Sequence, residues 1–167
     1  MFRAWQWLFD DFRKSAYGGY LAIVRILVGY HFVEVGWRKV SQGYYSGDSL
    51  PRQLADAVHD PLGWHQDFIL NVVLPHPQLF SFLVAFGELA IGISLMTGCL
   101  VRVSSLFGAF HNFNILFAVA IPGGGGAQMR VNRLYIFLHL IFVICAAGRW
   151  LGVDGWLKKK FPRCWLF

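Results

Sequence analysis

Charged residues are scarce in this sequence, since aspartate, glutamate, lysine and arginine make up only 14% of its 167 residues. Average soluble domains carry about 25%, and a small soluble domain needs a polar surface because its surface-to-volume ratio is high. Apolar residues make up 56% of the chain and aromatic residues 17%. The shortage of charge argues against intrinsic disorder and against an ordinary soluble enzyme. It indicates a protein whose surface is largely in contact with lipid.

Cysteine and acidic residues are also sparse. Cys99, Cys145 and Cys164 form no Cys-x-x-Cys pair and no Cys/His spacing of the kind that binds a metal. A thiol–disulfide mechanism and a metal centre are therefore not predicted. Nine acidic residues face 15 lysines and arginines, but these bases lie mostly at the ends of apolar runs, where they meet anionic lipid headgroups. We expect membrane lipids, and no nucleic acid, as the partners of this basic charge.

Four apolar runs are long enough to cross a bilayer, which takes about 20 residues in a helix. The predicted spans cover approximately residues 17–40, 77–100, 102–121 and 131–151. Little more than Arg102 separates the second span from the third, so these two form a tight antiparallel hairpin. The sequence predicts an all-α integral membrane protein, with residues 1–167 folded as a single domain around a bundle of four transmembrane helices.

Three further segments predict interfacial amphipathic helices that lie on the membrane surface. Residues 1–14 space Phe2, Trp5, Phe9 and Phe12 at helical intervals between polar residues. The C-terminal tail combines tryptophans with a basic run, namely Trp156, Lys158 to Lys160 and Trp165. The loop between the first two spans, residues 41–78, holds two weaker amphipathic stretches, around residues 50–58 and 68–74.

Orientation follows from the flanking lysines and arginines, which concentrate on the cytoplasmic side. One side holds Arg3, Arg13, Lys14, Arg102, Arg149, Lys158, Lys159, Lys160 and Arg163. The other side holds Arg38, Lys39, Arg52, Arg130 and Arg133. The excess on the first side predicts that both termini are cytoplasmic.

Ionisable side chains inside a span are costly in lipid and are therefore functional candidates. Counting about 1.5 Å per helical residue places one candidate of each span near the middle of the bilayer: His31, Glu88, His111 and His139. Arg25 lies nearer the inside, and its long side chain could adjust its depth to pair with Glu88. Such a cluster is either a buried ion pair that fixes helix register, or a polar pocket that binds a quinone headgroup or relays a proton.

A quinone site needs two hydrogen-bonding ends in an aromatic cleft, for which the candidate walls are Phe32, Trp37, Phe86, Phe110 and Phe113. A second hypothesis is haem or pigment ligation by His31, His111 and His139, because two histidines facing each other across a bundle can hold a b-type haem. Small residues such as Gly108 or Ala146 would then have to admit the macrocycle.

Short motifs around these polar residues resemble those of a known family. The first span contains Arg25-Ile26-Leu27-Val28-Gly29, followed by Glu34, Gly36 and Lys39. The second contains Gly87-Glu88-Leu89-Ala90-Ile91-Gly92, followed by Leu95, Gly98 and Arg102. The last motif is Gly148-Arg149 with Leu151 and Asp154. In this order and spacing, over roughly residues 21–157, the motifs resemble those of the DoxX/DoxD-like membrane proteins.

The resemblance implies a four-helix protein of a prokaryotic cytoplasmic (inner) membrane. The DoxD branch is the membrane subunit of thiosulfate:quinone oxidoreductase, which oxidises thiosulfate to tetrathionate and reduces a quinone. Quinone is then the expected cofactor, and the expected catalytic residues are Glu88, Glu34 and Arg25. Quinone or anion binding is expected at Arg102, His111, His31 and Lys39, with an external anion arriving near Lys39, Arg130 and Arg133.

The alternative function is a non-catalytic accessory subunit of a larger respiratory or photosynthetic electron-transfer complex. Both functions predict other membrane subunits as partners of this chain. They differ in whether the polar cluster opens onto a cleft that lipid can enter or is sealed by packing.

Overall fold

The computed structural model describes residues 18–46 and 48–167, of which most are helical and none forms a β-strand. The α-helices are, in chain order, α1 (Gly18–Ser41), α2 (Ser49–Gln53), α3 (Gly63–Phe68), α4 (Pro77–Thr97), α5 (Val101–Ile115), α6 (Gly126–Ile144) and α7 (Val153–Lys160). π-helical segments extend α3 over Ile69–Val73 and α5 over Leu116–Ala120. Four helices are long and apolar enough to cross a membrane: α1, α4, the extended α5 and α6. The predicted all-α membrane fold is confirmed.

The fourth span differs most from its predicted range of 131–151. Its helix begins at Gly126 and ends at Ile144, whereas the other three spans start and end within three residues of the prediction. The predicted start is too late because polar residues occupy the first turns of the helix, and hydropathy alone assigns such residues to the loop. It ends early because Ala146 adopts a left-handed conformation with φ of 48°, after which a 3-10 turn runs from Ala147 to Arg149.

The segments predicted to be interfacial are helical where the structure describes them. The C-terminal tail forms α7, and the first connecting loop forms α2, a 3-10 helix at Ala55–His59, and α3 with its π-helical extension. We call residues 48–76 the loop cap. Its apolar side chains Leu50, Leu54, Ala57, Ile69 and Val73 pack together with Ala118 of the extended α5. The helix predicted for residues 1–14 lies outside the described residues.

The four spans form two tightly packed pairs. α1 packs along α4 where glycine lets the backbones approach, since a Cβ atom on Gly36 would lie 2.5 Å from the backbone nitrogen of Leu89. On the same contact a Cβ atom on Gly92 would lie 2.5 Å from the backbone nitrogen of Val33. α5 packs along α6 in the same way, with Gly108 against the ring of His139. The helices within each pair are thus in close contact, and the spaces between the two pairs are available for a site.

The two ends of the bundle differ in construction. We call the end with the turn between α4 and α5 the hairpin end and the opposite end, under the loop cap, the loop end. At the hairpin end Asp154 accepts hydrogen bonds from the backbone amides of Leu100, at 2.7 Å, and Val101, at 2.9 Å. A carboxylate at this position satisfies the free amides of the α5 N-terminus and complements the helix dipole. The hairpin end is therefore closed by α7.

Candidate functional site

Glu88 is the centre of a charged cluster in the middle of the bundle. Its carboxylate oxygen Oε1 accepts a hydrogen bond from Lys39 Nζ at 2.6 Å and lies 2.7 Å from His111 Nε2. These residues come from α1, α4 and α5, so the cluster connects the two helix pairs. Glu88 is 4% exposed, and a buried carboxylate requires this kind of charge compensation.

The second carboxylate oxygen of Glu88 is different. Oε2 is buried and accepts no hydrogen bond from any residue that the structure describes. A buried carboxylate oxygen without a donor is costly and rare. Oε2 is therefore the unsatisfied acceptor of the cluster.

An apolar cavity of about 600 Å³ lies on one side of the cluster, between α4 and α5 and under the loop cap. Its volume is in the range of about 300–1,000 Å³ typical of small-molecule sites. Glu88, Lys39 and His111 form a polar patch in its wall. Exposed apolar side chains such as Leu83, Phe107 and Phe110 line its rim. The cavity thus opens where the surrounding lipid would be.

A smaller and more polar cavity of about 290 Å³ lies on the other side of the same cluster. Its polar lining comes mainly from α1 and α6, namely His31, Arg38, Gln128, Asn132 and Tyr135. Lys39, Glu88 and His111 line this cavity as well as the apolar one. The cluster is therefore a shared wall between the two cavities.

The loop after α1 contributes two side chains next to the cluster. The hydroxyl of Tyr44 donates a hydrogen bond to Gln53 Oε1 at 2.5 Å, and both residues line the apolar cavity. Lys39 Nζ lies 5.1 Å from the centre of the Tyr44 ring. Burial, and secondly the Glu88 carboxylate, raise the pKa of the Tyr44 phenol to about 12. Tyr44 thus stays protonated and remains a hydrogen-bond donor at any physiological pH.

Arg25 lies away from this cluster, and the predicted pair between Arg25 and Glu88 is absent from the structure. Its guanidinium donates to the backbone carbonyls of Leu95 at 2.5 Å, Trp150 at 3.2 Å and Leu151 at 3.1 Å. Carbonyl groups at the end of a helix and in a turn attract a cation because they have no other donor. Arg25 is therefore placed to join α4 to the segment that follows α6.

Arg102 is also at the hairpin end, outside both cavities. Its side chain donates to the carbonyls of Val143, at 3.1 Å, and Trp165, at 2.5 Å, and lies over the Trp165 ring. Arg149 similarly donates to the carbonyl of Phe167 at 2.8 Å. Both arginines hold the C-terminal segment against the bundle.

The remaining candidates on α1 lie on different faces. His31 reaches the polar cavity and stacks on Tyr135, with the ring centres 5.2 Å apart. Glu34, in contrast, is exposed on the outer surface and lines neither cavity. The structure thus brings His31, Lys39, Glu88 and His111 together and leaves Arg25, Glu34 and Arg102 elsewhere. Of the predicted aromatic walls, Phe110 lines the apolar cavity and Phe32 the polar one.

The third midplane histidine, His139, is completely buried. A Cβ atom on Gly108 would lie 2.3 Å from its Cε1 atom, and Phe32 packs edge-on at 5.2 Å between ring centres. Gly108 therefore accommodates the imidazole itself and leaves no room for a macrocycle. His111 points its Nε2 at Glu88 instead of an open space. The arrangement does not fit a haem or pigment held between His111 and His139.

One polar group in the loop cap was missed by the sequence analysis. His65 is buried, with Nδ1 2.5 Å from Asp60 Oδ2 and Nε2 3.0 Å from Asn114 Oδ1. Asp60 also accepts a hydrogen bond from the amide of Leu62 at 2.8 Å. This chain of contacts connects the loop cap to α5. An aspartate and a histidine five residues apart in a loop have no distinctive spacing that could have revealed it.

The polar lining from α6 was missed too, although the sequence does contain a signal for it. Gln128, Asn132 and Tyr135 are separated by four and three residues, which places them on one helix face. The predicted span of 131–151 contains Asn132 and Tyr135 but leaves Gln128 in the preceding loop, so the shared face was not apparent from the predicted helix.

Comparison with known proteins gives one finding. The family model described as DoxX matches residues 20–121, which include α1 from its third residue onward, the loop cap, α4 and the extended α5. This match contains Lys39, Glu88 and His111 and covers more than half of the chain. No curated protein and no solved structure gives a significant match.

Proposed function

The chain belongs to the DoxX family of membrane proteins, and from this premise we propose that it is the quinone-binding membrane subunit of a quinone-linked oxidoreductase of the thiosulfate:quinone type. The single observation that carries the proposal is the position of Glu88. Its buried oxygen Oε2 lacks a donor among the described residues, and the residue lines a large apolar cavity that opens between α4 and α5.

A quinone matches the chemistry of this cavity in two respects. The headgroup offers a carbonyl, or a hydroxyl after reduction, to a polar wall, while the isoprenoid tail requires an apolar space open to lipid. Lys39 Nζ donates one hydrogen to Glu88 and has two further hydrogens that can be donated to a headgroup carbonyl. Glu88 Oε2 is the acceptor that a headgroup hydroxyl requires.

Protons would reach the headgroup from the polar cavity. Lys39, Glu88 and His111 line both cavities, so a proton passed through them moves across a single layer of side chains. The imidazole of His111 is suited to this step because one ring nitrogen can accept a proton while the other donates one. His31 also lines the polar cavity, so its imidazole could pass protons to the cluster.

The electron donor would approach from the polar cavity, where Arg38 and Lys39 favour an anion. Two thiosulfate ions joined through a new S–S bond give tetrathionate and release two electrons, and a bound quinone would accept these electrons together with two protons. The residues of the shared wall separate the anion from the apolar space while keeping the two ligands close.

Quinone content of the purified protein tests the proposal. The wild type, Glu88→Gln and the matched control Glu34→Gln are purified in mild detergent, and extracted quinone is quantified per folded chain. We expect the wild type and Glu34→Gln to retain quinone. Glu88→Gln should retain at least tenfold less quinone per folded chain than the wild type. Thiosulfate-dependent quinone reduction in the same samples tests the type of reaction. Equal quinone in all three proteins would contradict the proposal.

A non-catalytic accessory subunit is the second candidate function. The observation that favours it is the structural use of Arg25, Arg102 and Arg149, all of which hold backbone carbonyls. If the wild type retained no quinone but co-purified with other membrane subunits, this second function would account for both findings.

A further inference from the structure

Glu34 occupies an unusual position on the outside of the bundle. The buried residues of α1 lie on one face of the helix: Ala22, Arg25, Val28, Gly29, Phe32 and Gly36. The opposite face is exposed and apolar or aromatic along its length, with Tyr20, Ile23, Leu27, Tyr30 and Trp37. At 3.6 residues per turn, Glu34 falls in the middle of this exposed face. We call the exposed face, including Glu34 and Arg38, the α1 outer face.

Glu34 is also deep in the span. It lies seven residues before Ser41, the last residue of α1, which corresponds to about 10 Å of helix. Its neighbour Gly36 packs against Leu89, an interior residue of α4. Ionisable side chains at such depths almost always face the bundle interior or another charge, because lipid solvates them poorly. A carboxylate on the outer face therefore indicates a partner outside the chain.

The same face carries the opposite charge one turn away. Arg38 is exposed and lies four residues after Glu34. Helical side chains lean towards the helix N-terminus, so the guanidinium of Arg38 can reach the level of Glu34. No ion pair joins these two residues in the structure, and among the described residues none other forms one with Glu34. Within residues 18–46 and 48–167, the α1 outer face thus presents an acid and a base that have no ion-pair partner.

We propose that a second copy of this chain covers the α1 outer face, in a parallel two-fold dimer. Glu34 of each copy accepts a hydrogen bond from Arg38 of the other, so the symmetry gives two equivalent ion pairs. A two-fold interface must be complementary to itself, and a face with one acid and one base at neighbouring heights meets this requirement. The proposal does not depend on quinone binding, because Glu34 lines neither cavity. Arg38 borders the polar cavity, but self-association is measured without quinone or thiosulfate.

Co-expression of two charge-reversed chains tests the pairing. Glu34→Arg makes the α1 outer face wholly basic and Arg38→Glu makes it wholly acidic, so each variant should repel its own copies. With different affinity tags on the two chains, self-association of either variant should fall at least tenfold relative to the wild type. Co-expressed, the two variants should capture each other at the wild-type level. Lys159→Glu, which reverses an exposed charge on α7, should leave self-association unchanged.

This design separates the dimer from an ion pair within one chain. Glu34 and Arg38 are four residues apart, a spacing that also allows pairing along a single helix. A pair within one chain predicts no mutual capture of Glu34→Arg by Arg38→Glu. That result would overturn the proposal, as would self-association of either variant at the wild-type level or a wild type that is monomeric in lipid nanodiscs.

A crosslink supplies evidence that does not depend on folding of the charge-reversed variants. Leu27 is exposed on the α1 outer face near its centre line, so cysteines at this position in two copies should face each other. Oxidation of Leu27→Cys in native membranes should give a disulfide-linked dimer. Ile144→Cys, exposed on α6, should not, and the wild type with its own three cysteines serves as the blank. Crosslinking that is equal at the two positions would contradict the dimer.

Discussion

His111 Nε2 lies 2.7 Å from Glu88 Oε1, and this contact joins the α1–α4 pair to the α5–α6 pair at the centre of the bundle. Glu88 is already compensated by Lys39 of its own pair. The histidine thus adds a second donor to the same oxygen and leaves Oε2 without one. This asymmetry supports the binding role proposed for the cluster, since a purely structural ion pair would be expected to satisfy both oxygens.

The strength of this contact can be measured by a double-mutant cycle. His111→Ala should lower the free energy of unfolding by about 1.5–3 kcal/mol, because it removes a hydrogen bond to a charged group. In a Glu88→Gln background the same change should cost only about 0.5–1.5 kcal/mol, because the acceptor is then neutral. Unfolding of detergent-solubilised protein by sodium dodecyl sulfate gives the four values. Equal costs in both backgrounds would show that the two side chains are not coupled.

Arg25→Lys should destabilise the protein without affecting quinone. An ammonium group cannot span the three carbonyls that the guanidinium reaches. Losing two of these charge-assisted bonds should lower the free energy of unfolding by about 3 kcal/mol or more. Thermal denaturation and quinone content are measured on the same preparation. A variant that keeps its stability but loses quinone would restore Arg25 to the catalytic role that the sequence suggested.

Gly108→Ala should be destabilising because of His139. The new methyl group would collide with the imidazole, at 2.3 Å from Cε1, and overpacking of this kind costs about 1–3 kcal/mol. In a His139→Ala background the same substitution should cost much less, since the space is then available. Gly19→Ala is the matched control, because a Cβ atom there meets no other atom within 4 Å. A cost that persists without the imidazole would place the strain elsewhere.

Tyr44 predicts a pH dependence in the alkaline range. Its folded-state pKa is about 12, whereas an exposed phenol in the unfolded chain ionises near pH 10, at about its reference pKa. Between these values the unfolded state loses a proton that the folded state keeps. The free energy of unfolding is therefore unaffected by Tyr44 ionisation below pH 10 and declines as the pH rises towards 12. The free energy of unfolding of Tyr44→Phe should decline less over this pH interval, because phenylalanine does not ionise. The difference between the two stability–pH curves is the measurement, and parallel curves would contradict the assignment.

The fold could be predicted because lipid imposes a simple length rule on apolar helices. The same rule explains the error at the fourth span, where Gln128 and Arg130 are helical although they are polar. Backbone conformation also ends that span, at Ala146 with its positive φ. A hydropathy count contains no information about either feature.

The site was predicted in part, for a physical reason. Depth along a helix follows from residue number, so Glu88 and His111 could be placed at one level. Rotation about the helix axis does not follow in a span that is apolar nearly all round. Glu34 and Glu88 therefore looked equivalent in the sequence, yet Glu34 is exposed and Glu88 is buried. The sequence prediction paired Arg25 with the carboxylate of Glu88. Its actual partners are backbone carbonyls, which every residue has and which therefore leave no signal in the sequence.

Photolabelling with a quinone that carries an azide on its headgroup tests whether quinone binds beside Glu88. Our account predicts that the label attaches to residues of α4 and α5 that line the apolar cavity beside Glu88, such as Phe107 and Phe110. Excess unmodified quinone should prevent this labelling, and Glu88→Gln should reduce it at least tenfold. Labelling confined to the outer surface of α6, at residues such as Phe137 and Ile144, and unaffected by excess quinone, would contradict the account.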